Sequence, residues 1–285
     1  MGDSVLYIEE IHEDEEGQEM KEICRILDVK TRGVVPAKRG GATLTLIEKN
    51  GQKLLFLIGG ANRNADMFND VHVYDIEKSE WIQIHAENSA SFQARSGHTA
   101  VAIGHLIYVF GGMNLPLQAV YNDVHIFNTD TVAWSQLVPC NKPPPPRNAH
   151  VAIAIPKGMV VFGGSSPSEG PMNDVFLLKL QEEQVEWIPI TCNGSPVVKR
   201  ELHAAVLLPN SNSIYISGGR LQDGQLAKEY AVLDTDTWNW QIHNSQWRRC
   251  GHVAGVLDGE VVHYGGWDGG NEFCNDCWVA PIPGC

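Results

Sequence analysis

Four histidines, His98, His150, His203 and His252, each follow an arginine by three residues: Arg95, Arg147, Arg200 and Arg249. Imidazole is the side chain best suited to proton transfer near neutral pH and to metal ligation. Both uses require unlike groups converging on one point, whereas a residue that recurs with the chain is spread over successive structural units. These histidines are therefore expected to hydrogen-bond adjacent turns. Cys274-Asn-Asp-Cys277 has the spacing of a zinc or redox half-site, but no second pair accompanies it. In the repeat described next, Cys274 falls where Phe68, Tyr121 and Met172 occur, and Cys277 where Val71, Val124 and Val175 occur. Both cysteines are thus expected to pack like small apolar residues. No convergent Ser/His/Asp set or cofactor fingerprint is present, so no catalytic, metal or cofactor residue is assigned.

The elements that must position these residues come in a repeat. Gly-Gly pairs begin at Gly59, Gly111, Gly163, Gly218 and Gly265, spaced by 52, 52, 55 and 47 residues, and each closes an apolar run such as Leu106-Ile-Tyr-Val-Phe110. Upstream of four of them lies the Arg-x-x-His landmark; Arg39-Gly-Gly-Ala42 is a weaker first copy. Downstream come Asn69-Asp70, Asn122-Asp123, Asn173-Asp174 and Asn275-Asp276, with Lys228-Glu229 divergent, and then Trp81, Trp134, Trp187 or Trp240 in a last strand. One period therefore holds four short strands separated by turns. A unit of that kind cannot cover both faces of its own sheet, and radial packing of neighbours supplies the missing contacts.

The combined landmarks, over roughly residues 21–285, resemble the kelch family of β-propellers. That resemblance implies an all-β fold of four-stranded blades around a central channel, acting as a protein-interaction module. Five blades are expected, with six as the alternative because Ser4–Ile8 could form one more strand. The fifth repeat stops at Cys277-Trp-Val-Ala280 without its outer strand, and Glu22–Leu27 precedes Arg39 as Trp81 precedes Arg95. Residues 22–28 are accordingly expected to close the last blade. Residues 1–20 read as an acidic hairpin or linker, since positions 9–22 hold eight carboxylates, and 21–285 as a single domain.

Net charge is −13, with 21 Lys and Arg against 34 Asp and Glu, which disfavours nucleic acid and anionic membrane surfaces as partners. No long apolar span or signal peptide is visible, and the seven cysteines are scattered and odd in number. A cytoplasmic location, with the nucleus also open, is the expectation. In a ring the five post-Gly-Gly loops emerge on one side and form a composite surface. It offers Arg63 and Arg220 for an anion, and Met113, Leu115 and Trp267 for apolar contact. The repeated Arg147, Arg200 and Arg249 could rim the same channel mouth, either binding a carboxylate or bonding loop carbonyls between blades. The expected partner is a protein or peptide with an anionic group, bound without catalysis by a scaffold, effector or substrate receptor. A small-molecule enzyme using the central pocket and a structural assembly subunit are the alternatives.

Overall fold

A computed structural model describes residues 5–6, 26–27, 29–180 and 184–281. Each repeat folds as an antiparallel sheet whose strands follow chain order from the axis outward. In the second blade these are Thr99–Ile103, Leu106–Phe110, Val124–Asn128 and Ala133–Leu137. The first blade starts with Thr43–Lys49, the third with Val151–Ile155, the fourth with Ala204–Leu207 and the fifth with Val253–Leu257. The chain is thus all-β, a five-bladed propeller arrangement. The Gly-Gly pairs stand where neighbours come closest. A Cβ on Gly111 would lie 2.7 Å from the Arg147 carbonyl, and one on Gly112 would lie 2.8 Å from the His98 Cβ. Both glycines also have positive φ, 65° and 92°, so the pair answers a steric and a dihedral demand together.

Blades are joined face to face by apolar cores. Ile47, Phe56 and Val73 of the first meet Ile107, Val109, Phe127 and Trp134 of the second. Val101 and Phe110 of the second meet Met159, Val161 and Trp187 of the third. Trp240 of the fourth packs on Phe162 of the third, and Tyr215 of the fourth joins a cluster with Val261 of the fifth. Trp134, Trp187 and Trp240 therefore each serve the interface with the preceding blade, as their repeated position predicts.

Near the axis a hydrogen-bonded belt ties successive blades. Gly97 N donates to Gly41 O (2.8 Å), Ala149 N to Gly97 O (2.8 Å), Leu202 N to Ala149 O (2.9 Å) and Gly251 N to Leu202 O (2.7 Å). All five belt residues have left-handed φ, between 53° and 65°. A second set of bonds runs beside it, from Gly60, Gly112, Gly164 and Gly219 N to the carbonyls of Arg95, Arg147, Arg200 and Arg249. Among the described residues, both sets join blade one through to blade five, and neither joins blade five to blade one.

The described part of the expected closing strand does not pair with the fifth blade. Ile26–Leu27 runs antiparallel to Val5–Leu6 in a separate two-stranded sheet, and the fifth blade has three described strands, ending with Cys277–Pro281. Residues 22–25 and 28 of the expected closing strand lie outside the described residues, as does the acidic run 9–22. The segment that follows, however, takes the path of an inter-blade connector. Arg32–Gly33 pairs in parallel with the outer strand of blade one, as Asn193–Gly194 does with that of blade four.

Candidate functional site: the loop face

The repeated arginines occupy the inside of each blade rather than its rim. Arg95 is fully buried; one guanidinium nitrogen donates to Gly111 O (3.0 Å) and to Asp123 (2.6 Å), and a second to the other Asp123 oxygen (3.1 Å). Arg147 holds Gly163 O and Asp174 in the same way, and Arg39 holds Gly59 O and Asp70. Arg200 is also fully buried and bonds Gly218 O and Glu229, the divergent residue supplying its carboxylate from one carbon further out. Arg249 pairs with Asp276 at 3.0 and 2.9 Å. Each fork thus ties the turn after the second strand to the start of the third. Burial pushes the Asp123 carboxyl up, but hydrogen bonds from His125 and Arg95 and the guanidinium charge outweigh it and hold the group well below the usual carboxylate range. Of the two roles open to Arg147, Arg200 and Arg249, the geometry commits them to bonding carbonyls and carboxylates within the fold.

The face itself is built from five rungs. The residue before each belt position is bridged to the one after the Gly-Gly pair: Gly40 to Ala61, Ser96 to Met113, Asn148 to Ser165, Glu201 to Arg220, and Cys250 to Trp267. The backbone is the same at every rung and the side chains differ, which is how a repeat fold specifies a partner without altering its core. Arg220 is exposed but already engaged, donating to Glu201 Oε1 from Nε (2.9 Å) and from a terminal nitrogen (2.5 Å). The Ser165 hydroxyl donates to the other oxygen of Glu201, so three residues from adjacent blades form one polar cluster. Trp267 is half-buried, with its indole N–H on Gly270 O at 2.7 Å. Leu115 is 60% exposed, Met113 is half-buried and Arg63 is exposed. No hydrogen bond or ion pair among the described residues joins Arg63 to the Glu201–Arg220 cluster. Glu201 is the loop-face residue that sequence reasoning passed over. Its signal was chemical variety, Gly40, Ser96, Asn148, Glu201 and Cys250, at a position flanked by a recurring arginine and, in four repeats, histidine.

The histidines are buried one per blade, where each fills the space over a glycine of the preceding blade. His98 Nε2 meets the Thr43 hydroxyl at 3.2 Å and His150 Nε2 meets that of Thr99 at 2.9 Å. Burial drives their imidazoles to the neutral form: His98 and His252 are each lowered to about 3, and His150 and His203 are lowered well below the ordinary value. Cys274 and Cys277 keep the repeat register. Cys274 N donates to Gly266 O as Tyr121 N does to Gly112 O, and Cys277 pairs with Tyr264 as Val124 does with Phe110. Partial burial raises the Cys274 thiol, which disfavours the thiolate a metal needs. Among the described residues no group of three or more His, Cys, Asp or Glu side chains is placed to hold a metal ion. No helix of the described residues is long and apolar enough to cross a membrane.

The same landmarks define a known family. Residues 22–208 and 149–282 match the family described as the KLHDC2/KLHL20/DRC7 Kelch-repeats domain. The chain belongs to the kelch-repeat family. It is 25% identical over 222 residues to human Kelch domain-containing protein 3, covering 76% of this chain and 55% of that protein. It is 27% identical over 225 residues to Acyl-CoA-binding domain-containing protein 5 of Arabidopsis thaliana, covering 75% and 34%. Similarity of 27% over 282 residues extends to the flagellar outer-arm dynein alpha chain of Chlamydomonas reinhardtii, covering 88% of this chain and 6% of that one. The kelch chain described here therefore matches about half, or less, of the length of these curated relatives.

Proposed function

We propose that this kelch propeller is a noncatalytic interaction module whose loop face binds a protein segment carrying an anionic group. The observation that carries this reading is the five-rung face: its side chains differ at every blade, while the repeated Arg, His and most of the repeated Trp residues are consumed inside the fold. Arg63 supplies an exposed cation, and Arg220 supplies another that an incoming carboxylate shares with, or takes from, Glu201. Leu115, Met113 and Trp267 supply apolar contact at the same face. The relatives support a module of this kind, since comparable stretches lie within polypeptides named for quite different roles. The described cysteines, all free thiols, suit a cytoplasmic or nuclear setting.

The test is affinity capture from native lysate, followed by titration of the captured segment against folded variants. Arg63→Ala or Arg220→Ala is expected to weaken binding by about 1.5–3 kcal/mol, the range for a hydrogen bond to a charged group, with little change in thermal midpoint. Glu201→Gln should strengthen it by releasing Arg220. Unchanged affinity in Arg63→Ala, Arg220→Ala and Trp267→Ala together would reject this face as the binding site.

A further inference from the structure

The seam between blades four and five breaks the apolar pattern that fills the earlier seams. The second strand of each blade sets a fully buried aliphatic side chain against the blade before it: Val109, Val161 and Ile216 in blades two to four. Strand register puts His263, also fully buried, at that position in blade five. At the end of the same strand Phe110 and Phe162 pack edge-on against His150 and His203 of the next blade, with ring centroids 5.2 Å apart in both cases. Blade four carries Ser217 there. Where blades two and three set Val124 beside Leu137 and Val175 beside Ile190, blade four sets Tyr230 beside His243, the rings stacked at 4.8 Å. A titratable cluster thus stands in place of an aliphatic core, and the apolar residues left at this seam are Val206, Leu208, Tyr215, Val232 and Val261.

The centre of the cluster is one hydroxyl between two imidazoles. Ser217 Oγ lies 3.3 Å from His252 Nε2 and 3.4 Å from His263 Nδ1, and the two ring centroids are 5.5 Å apart. A hydroxyl offers an imidazolium no compensating charge, whereas His72 and His125 stand 3.0 and 2.9 Å from the carboxylates of Asp70 and Asp123. Blade four faces the two rings with Tyr215 and Ser217, and stacks Tyr230 and His243 behind Tyr215. Blade five faces them with Trp247, Trp278 and the Arg249 guanidinium. The fixed charge among these groups is positive and so opposes a second one beside it. Burial lowers His263 to about 4, and burial together with the charges of His263 and Arg249 lowers His252 to about 3.

We infer that the seam between blades four and five is an acid-operated joint, in which the His252–Ser217–His263 cluster takes up protons and lets blade five part from blade four while the other seams stay closed. Two rings without a carboxylate meet at this seam, against one at each of the others, His98, His150 and His203. Once the seam opens, each ring returns toward the ordinary value near 6.5, so opening is favoured as pH falls from about 6.5 toward 4, by about tenfold per pH unit for each proton taken up. The bonds from Gly251 N to Leu202 O and from Gly219 N to Arg249 O, each 2.7 Å, cross the same seam. Opening therefore carries the fifth rung of the loop face away from the fourth.

Amide exchange resolved to single residues, on the full 285-residue chain, reads each seam through the N–H groups that bond across it. Gly219 and Gly251 report on blades four and five, Gly112 and Ala149 on two and three, and Gly164 and Leu202 on three and four. After correction for the intrinsic pH dependence of exchange, protection at Gly219 and Gly251 is expected to fall at least about tenfold further between pH 7.5 and 5 than at the other four, with far-UV circular dichroism still native. His263→Gln, neutral throughout this range, should reduce that extra loss about tenfold, and His150→Gln at the seam between blades two and three should leave it unchanged. If His263→Gln lacks a cooperative melting transition, His263→Val, the side chain blades two and three carry there, replaces it with the same expected effect. Equal loss at all three seams, loss only together with the global transition, or a pH profile unchanged by the substitution at His263 would overturn the inference.

Discussion

A single imidazole shows how closely each repeat position is tuned by its neighbour. His98 and His150 find hydroxyls at Thr43 and Thr99, the first residues of the preceding inner strands. His203 faces Val151 at that position, so beyond the backbone of Phe162 its ring meets no hydroxyl like those of Thr43 and Thr99. His252, facing Ala204, turns to the Ser217 hydroxyl at 3.3 Å instead. A buried polar atom without a partner costs about 1–3 kcal/mol. Val151→Thr, which keeps the branched shape and adds the hydroxyl, should therefore stabilise the protein by about 0.5–1.5 kcal/mol, read as a higher urea midpoint with unchanged slope. A midpoint equal to or below that of the parent would show that burying the hydroxyl outweighs the bond it makes. The role of each repeated histidine was legible in the sequence because recurrence argues for structure over chemistry. The Glu201–Arg220 pair was not, since the residues lie 19 apart and meet only when the turn after Gly219 folds back on the start of the inner strand.

At the scale of the element, the outer strand decides which interface a tryptophan serves. Trp134 is 1% exposed and stacks on Phe92 at 4.1 Å while also touching Phe127, so its removal empties the core between blades one and two. Trp81 occupies the same register in blade one, pairs with Tyr74 at 5.0 Å, and is half-buried, since no inter-blade core among the described residues takes it up. Trp134→Ala should cost about 3–5 kcal/mol and Trp81→Ala markedly less, a difference that equilibrium unfolding of the two variants measures directly. Equal losses would mean that Trp81 is covered in solution. Strand order, the Gly-Gly turns and the tryptophan interfaces were all readable, each being one local rule written several times over. The first blade departs from its neighbours in ways the sequence shows: Arg39-Gly-Gly-Ala42 lacks the histidine, and Leu44 and Leu46 replace alanines. Such departures acquire meaning only once the neighbour of each blade is known.

For the whole molecule, burying one neutral imidazole per interface makes stability depend on pH. His98 and His252 are lowered to about 3 and His263 to about 4, with His150 and His203 also well below the ordinary value, chiefly because burial penalises the charged ring. In the unfolded chain the same rings take up protons below about pH 6.5. The unfolded state therefore binds more protons than the folded one from about pH 6.5 down toward 4, and stability falls as pH falls through that window. Each such histidine removes about 1.4 kcal/mol per pH unit once the unfolded form is fully protonated and the folded form is not. Against a total stability of about 5–15 kcal/mol, several of them acting together remove a substantial fraction of it as the pH falls below about 6. The carboxylates cannot mimic this window, because Asp70 and Asp123 are held below their usual range and surrender their stabilisation only at lower pH. Urea midpoints measured from pH 7.5 to 4.5 should drop steeply below pH 6, and replacing a single ring, as in His150→Gln, should make that drop shallower even where it lowers the midpoint at pH 7.5. A flat profile to pH 4.5 would show that the rings are protonated in the folded state, and with that the neutral inter-blade imidazole would have to be abandoned.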